Sequence, residues 1–168
     1  MAYEVSRRNF MKGAAMAAAA AAVSGLMTGC SGDTKPVAQI QLGDYTVRVT
    51  DAKTAQESSV AGAQKVNGYI TPVVGIEYSG KGSMTLLYTD IFSAELGGSK
   101  MTLTNPASVY NSTVGNFKSC EPKFKTTDKD LYAGFNSNTQ AMKLKVTLDK
   151  ETAIFTIKGN GDITVAKA

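Results

Sequence analysis

Two cysteines, one close pair of aspartates and a row of alternating lysines are the side chains whose types and spacing could do chemistry here. Cys30 and Cys120 are the two thiols, and the sequence contains no histidine. Neither thiol therefore has an imidazole to activate it, and a His-based triad or metal site is excluded. Asp128 and Asp130, in Thr127-Asp128-Lys129-Asp130, could bring two carboxylates to a hard cation. A calcium site needs six or more oxygens, and no further ligand spacing follows, so a solvated turn is expected. Asp128 paired with Glu121 or Asp149 would make a glycosidase-like couple, but nothing in the spacing joins them. There is no G-x-G-x-x-G, no Walker loop and no C-x-x-C. Met84, Met101 and Met142 fall on strand positions and are expected in the core, not around copper. No catalytic residue, cofactor or metal is expected.

Cys30 gains meaning from what precedes it. Ser6-Arg7-Arg8-Asn9-Phe10-Met11-Lys12 matches the twin-arginine export pattern S-R-R-x-F-[L/M]-K. Ser6, Arg7, Arg8, Phe10 and Lys12 carry that match. The apolar run from Gly13 to Thr28 is alanine-rich and mild. It falls short of the roughly 20 apolar residues of a membrane span and follows a positive segment, as a targeting leader does. The run closes on Leu26-Met27-Thr28-Gly29-Cys30, which resembles the lipobox of bacterial lipoproteins. That resemblance implies lipid on Cys30, cleavage after Gly29, and a membrane anchor outside the cytoplasm. Met27 stands where the lipobox usually has Leu. Two acyl chains anchor stably where one is marginal. Residues 1–29 are thus expected as a twin-arginine lipoprotein signal, 30–36 as the lipidated cysteine and a polar tether, and 37–168 as one domain.

Removing residues 1–29 from the 168 leaves 139, enough for one real core. The leader holds Arg7, Arg8, Lys12 and Glu4, so the 18 bases and 14 acids of the whole chain become 15 and 13. A net charge near +2 gives no argument for nucleic acid. With Cys30 taken by lipid, Cys120 has no intrachain partner, and no disulfide scaffold is expected. Cys120 is expected as a small buried hydrophobe.

The elements that must position these groups read as strands. Val37–Leu42 and Tyr45–Val49 alternate about a Gly43-Asp44 turn. Ala52–Gly68 is small, polar and aperiodic and reads as a long loop with one helical turn at most. Tyr69–Tyr78 is a strand whose Pro72 predicts an edge or a bulge. Ser83–Tyr88 and Ile91–Leu96 are strands, and Gly97-Gly98-Ser99-Lys100 turns into Met101–Thr104. Asn105–Lys129 is irregular. Met142–Leu148, Ala153–Lys158 and Ile163–Val165 close the chain as clear strands, and no window keeps a helical period. About seven to nine short strands make an all-β, antiparallel sandwich.

Leu42–Val49, the polar loop, Tyr69–Tyr78, and the hairpin from Phe92–Leu96 through Gly97-Gly98 to Met101–Thr104 resemble the immunoglobulin-like, "telokin-like" domains of bacterial surface lipoproteins. The resemblance covers Gln39 to Val165 and implies an immunoglobulin-like sandwich behind a lipobox and tether. Asn136-Ser137-Asn138-Thr139 stands where that family usually has a Pro-Gly turn.

A catalytically bare domain rich in tyrosine points to partner binding, because tyrosine is large, fairly rigid and amphipathic. The expected surface is Asn105–Lys129, with Tyr110, Phe117 and Phe124 as anchors and a protein or cell-wall polymer as partner. The export machinery and, through Cys30, the membrane are the other expected partners. A small-ligand or metal carrier is the alternative, and a hydrolase is disfavoured by the missing histidine. Lys143, Lys145 and Lys158 would share one face if their strands pair. An ordinary solvated face guarded against edge aggregation is expected there, ahead of a stripe for anionic lipid or polymer.

Overall fold

The computed structural model describes residues 37–57 and 67–168. Within them the chain runs through β1 (Ala38–Leu42), β2 (Tyr45–Glu57), β3 (Asn67–Tyr78), β4 (Thr85–Leu87), the single turn α1 (Tyr88–Ile91) and β5 (Phe92–Leu96). It continues through β6 (Ser99–Lys100), β7 (Thr102–Leu103), β8 (Val109–Asn111), β9 (Lys118–Cys120), β10 (Phe124–Thr126) and α2 (Lys129–Asn136). It ends with β11 (Ala141–Leu148), β12 (Glu151–Lys158) and β13 (Ile163–Lys167). A first sheet has the order β1-β2-β3-β10-β7, with β9 also on β3, and a second has the order β13-β12-β11-β5-β6. A ribbon, β4-β8, stands apart. Every ladder between these strands is antiparallel.

The core forms because period-two alternation sends one set of apolar side chains inward from each sheet. Met142, Leu144, Val146 and Leu148 of β11 and Ala153, Phe155 and Ile157 of β12 are buried against Val47, Val49, Ile70, Val74, Ile76 and Phe124 of the first sheet. Each large side chain so buried contributes about 1.5–3 kcal/mol of transfer free energy. At one corner the chain steps between sheets through buried Met101, from β6 to β7. At the other, β1 packs beside β13. The Gly43 N–H donates to the Glu151 carboxylate at 2.9 Å, and Lys167 reaches the same carboxylate at 2.9 Å.

The all-β antiparallel sandwich is as expected, but several details differ. Residues 52–57 and 67–68 are paired strand, not loop, with Lys53 opposite Thr71 and Glu57 opposite Asn67. Residues 58–66 of the expected loop lie outside the described residues. The β2 half of this hairpin is largely exposed, so no apolar face marks it in the sequence. Asn105–Lys129 is not merely irregular: it supplies β8, β9 and β10. Asp128 begins a helix where a bare turn was expected. Its carboxylate accepts from the N–H groups of Asp130 and Leu131 at 2.9 and 3.0 Å, satisfying two of the donors a helix start leaves open. Thirteen strands among the described residues replace the seven to nine expected, six of them only two or three residues long.

Pro72 is neither on an edge strand nor at a bulge of its own strand: β3 is interior, and Pro72 sits opposite Ala52 at a local gap in the pairing. On one side of β3, β10 pairs Gly68–Ile70 and β9 pairs Val74–Ile76, leaving Thr71–Val73 with no strand between them. On the other side β2 bulges between Val49 and Asp51. The sheets contain two three-strand meanders, β1-β2-β3 and β11-β12-β13. An immunoglobulin constant-type sandwich pairs ABED against CFG, so the sandwich is established and the immunoglobulin-like order is not.

Candidate functional site

The outer face of the first sheet carries a cation–π stack of arginine on phenylalanine. Arg48 on β2 lies opposite Gly75 on β3, which lies opposite Ser119 on β9. The Arg48 guanidinium carbon sits 3.9 Å from the centre of the Phe117 ring. Gly75 makes this possible. A Cβ at Gly75 would come within 2.8 Å of Arg48 Nε, 3.0 Å of Arg48 Cγ and 3.3 Å of Phe117 Cδ1. The bare strand is the floor on which arginine and aromatic meet, which is one reason glycine occurs inside strands.

Both side chains are half-buried. Among the described residues the Arg48 guanidinium makes no hydrogen bond and no ion pair; the two ion pairs present are Lys53–Glu121 and Lys167–Glu151. Its planar fork is held by the ring, which orients it with its N–H donors unspent. Such a fork suits bidentate capture of a carboxylate or phosphate.

The three expected anchors separate. Phe117 reaches the surface. Tyr110 and Phe124 do not: they are 1 % and 0 % exposed. Alternation within the short strands β8 and β10 turns both rings inward, and the Tyr110 hydroxyl donates to the Ile76 carbonyl at 3.3 Å. As surface anchors these two are corrected to core residues. The tyrosine richness that pointed to an interface resolves into buried rings: Tyr78, Tyr88, Tyr110 and Tyr132 belong to the core cluster, and Tyr69 lies under Lys123, 4.0 Å above its ring. Arg48 and Gly75 were missed. The signal available was a glycine amid β-branched residues in Tyr69–Tyr78.

Cys120 is buried, as expected. Burial raises its thiol pKa, and only a bond from Tyr88 opposes that. Tyr88 itself is pushed up to about 12, mainly by burial, and accepts from the Glu121 N–H at 3.3 Å. Burial likewise takes Tyr110 to about 12. An apolar, protonated surrounding of this kind leaves a thiol inert. Met101 and Met142 are core, while Met84 is 40 % exposed, a correction that follows from its place at the margin of the β4-β8 ribbon. Among the described residues no group of three or more acidic or cysteine side chains could hold a metal. An open hollow of about 420 Å³ lies beside α2, lined by Gln56, Lys129, Tyr132, Ala133, Asn136 and Ser137. Lys143, Lys145 and Lys158 do share one exposed face, that of the second sheet. Ser6, Arg7, Arg8, Phe10, Lys12 and Cys30 lie outside the described residues.

Fold and leader together define an exported all-β sandwich protein. The route is the twin-arginine one: residues 4–24 match the model of the TAT (twin-arginine translocation) pathway signal sequence, so the chain leaves the cytoplasm. Comparisons with curated proteins and with solved structures find no match.

Proposed function

We propose that the protein is a lipid-anchored, extracytoplasmic binding module that presents the outer face of its first sheet to a protein or cell-envelope partner. The observation that carries this reading is the Arg48–Phe117 stack over Gly75. Arginine and aromatic residues dominate binding hot spots, and apart from the Phe117 ring this arginine has no hydrogen-bond or ion-pair partner among the described residues. Anchoring is supported by Gly29-Cys30 at the end of the leader, with the first strand starting at Ala38. The absence of histidine from the sequence supports a role without catalysis.

One experiment tests both parts. A photo-crosslinking residue replaces Ser119, exposed beside the stack, and the protein is expressed in its own host. Membrane fractionation and intact mass are expected to show lipid on Cys30, and Cys30→Ser is expected to move the protein off the membrane. Adducts at Ser119 are expected to drop at least about 30-fold with Arg48→Ala, the loss of a hot spot worth 2 kcal/mol or more. Equal adducts with and without the arginine would remove the site. An unmodified Cys30 would remove the anchor.

A further inference from the structure

The second sheet turns a different surface outward. Its exposed positions include Lys100 on β6, Lys143 and Lys145 on β11, and Lys158 on β12. The register lays them out in rows. Lys100 and Lys143 flank Glu95, Lys145 lies between Ser93 and Ile154, and Lys158 lies opposite Ala141. Glu95 is the one carboxylate on the outward-alternating strand positions of this face, whose other members are Thr156, Thr164, Ala166 and their like. None of the four lysines is in an ion pair; the two pairs among the described residues use Lys53 and Lys167. The first sheet's outer face is mixed by comparison, with Glu77 opposite Thr46 and Glu121 bound to Lys53 at 2.6 Å.

The position of the chain's exit gives this charge a partner. β1 packs beside β13, the edge strand of the lysine-bearing sheet. Gly43 and Lys167 both hold Glu151, so the end of β1 lies by the end of β13 and its start lies by the start of β13. The described chain therefore begins, at Val37, beside the border of the second sheet. From Cys30 to Val37 is seven residues, which reach at most about 25 Å when extended. Four strand spacings from β13 to β6 span about 19 Å. An anchor at Cys30 would keep every lysine of this face within reach of the bilayer surface.

We propose that the outer face of the second sheet is a docking surface for the anionic bilayer to which the chain is tethered. The proposal rests on the anchoring reading above for its geometry. Lysines close to an anionic leaflet each improve partitioning about fivefold, and salt screens them over about 8 Å at physiological ionic strength. Exposed lysines of a sheet face oriented this way act together, while the Arg48–Phe117 stack, on the opposite face of the sandwich, points away from the membrane.

The test uses protein purified from its host, added to vesicles of phosphatidylcholine alone or with one-third phosphatidylglycerol. Amine acetylation is then read at each lysine by mass spectrometry. Lys100, Lys143, Lys145 and Lys158 are expected to label at least about fivefold more slowly on the anionic vesicles, with Lys53 and Lys118 unchanged and the difference gone at high salt. In a Cys30→Ser background, where no acyl chain holds the protein, Lys143→Glu with Lys145→Glu is expected to weaken binding to anionic vesicles at least about 25-fold. Equal labelling on both vesicles, or protection spread over all lysines alike, overturns the docking face. The intact mass of the same sample reports the anchor separately. Lipid on Cys30 with no selective protection sinks the face alone; selective protection without lipid sinks the anchor and keeps the face.

Discussion

Replacing Phe124 by alanine is expected to lower stability by about 3–5 kcal/mol, the usual cost of emptying a buried aromatic site. Phe124 is fully buried and sits on β10, a strand of three residues. It faces Ile70 of β3 on one side and Leu103 of β7 on the other. The ring thus joins the meander β1-β2-β3 to the segment that has just crossed between sheets at Met101. A strand this short has few ladder bonds of its own, so the cavity cannot close by a small slide without loosening β7. For a domain of this size the loss is a fall in Tm of roughly 10–20 °C, measurable by thermal and denaturant unfolding. Phe117→Ala is the control. Its ring is half-buried, which adds about 1 kcal/mol of transfer free energy to a stack with Arg48 worth about 0.5–1 kcal/mol, so its stability change is expected to stay near about 1–2 kcal/mol, well below that at Phe124. Equal costs at the two positions would place Phe124 on the surface and invalidate the core assignment.

That contrast shows where the sequence could be read and where it could not. β1, the first half of β2, β3, β11 and β12 each have one face in the core, and the alternation of Val47 and Val49 with Thr46, Arg48 and Thr50, and of Leu144 and Val146 with Lys143, Lys145 and Thr147, exposes it directly. The second half of β2 is paired but mostly solvated, and its hydrogen bonds to β3 leave no apolar pattern. α2 is too short for a helical period to stand out, and Asp128 looked like a turn residue because caps and turns draw on the same side chains. Aromatic residues in a Pro- and Ser-rich segment looked exposed because β8 and β10 supply only three residues each, too few to show which way alternation points. The Arg48–Phe117 stack joins residues 69 positions apart in sequence across a strand neither belongs to. Gly75 marked the close approach, but its partners are set by register, which one strand alone does not fix.

The two outer faces differ for a physical reason. In the second sheet the long strands β11 and β12 have neighbours on both sides, so their outward side chains form a continuous surface, and Lys143, Lys145 and Lys158 among Thr147, Thr152, Ile154 and Thr156 give it a positive balance. In the first sheet β3 is shared by β9 and β10 with a gap at Thr71–Val73, and this broken surface has room for a side chain to lie across it. A uniform field suits a fluid, repetitive partner such as a leaflet of headgroups, whereas one oriented fork on an aromatic floor suits a partner with a defined shape. The membrane is thus proposed for one face and the partner for the other, and Val37, the first described residue, lies on the side of β13.

Gly68→Val is expected to cost about 2–4 kcal/mol, although valine is the better strand former. Gly68 lies in β3 between Gln56 of β2 and Thr126 of β10, and the Tyr132 ring of α2 rests on it. A Cβ there would fall inside the van der Waals shell of three ring carbons, Cγ, Cδ2 and Cε2. The backbone angle is not the obstacle, since Gly68 is absent from the positive-φ glycines; the ring is. Tyr132 is buried, and its hydroxyl donates to the Ala55 carbonyl at 3.0 Å. It cannot swing clear without breaking that bond, worth about 1 kcal/mol, on top of the 1–3 kcal/mol typical of overpacking. A double-mutant cycle separates this from any general weakness of the hairpin. In a Tyr132→Ala background the space above Gly68 is open, and Gly68→Val is expected to become neutral or mildly stabilising, a coupling of at least about 1 kcal/mol. Additive costs in chemical denaturation would mean that α2 does not sit on the β2-β3 hairpin through this ring.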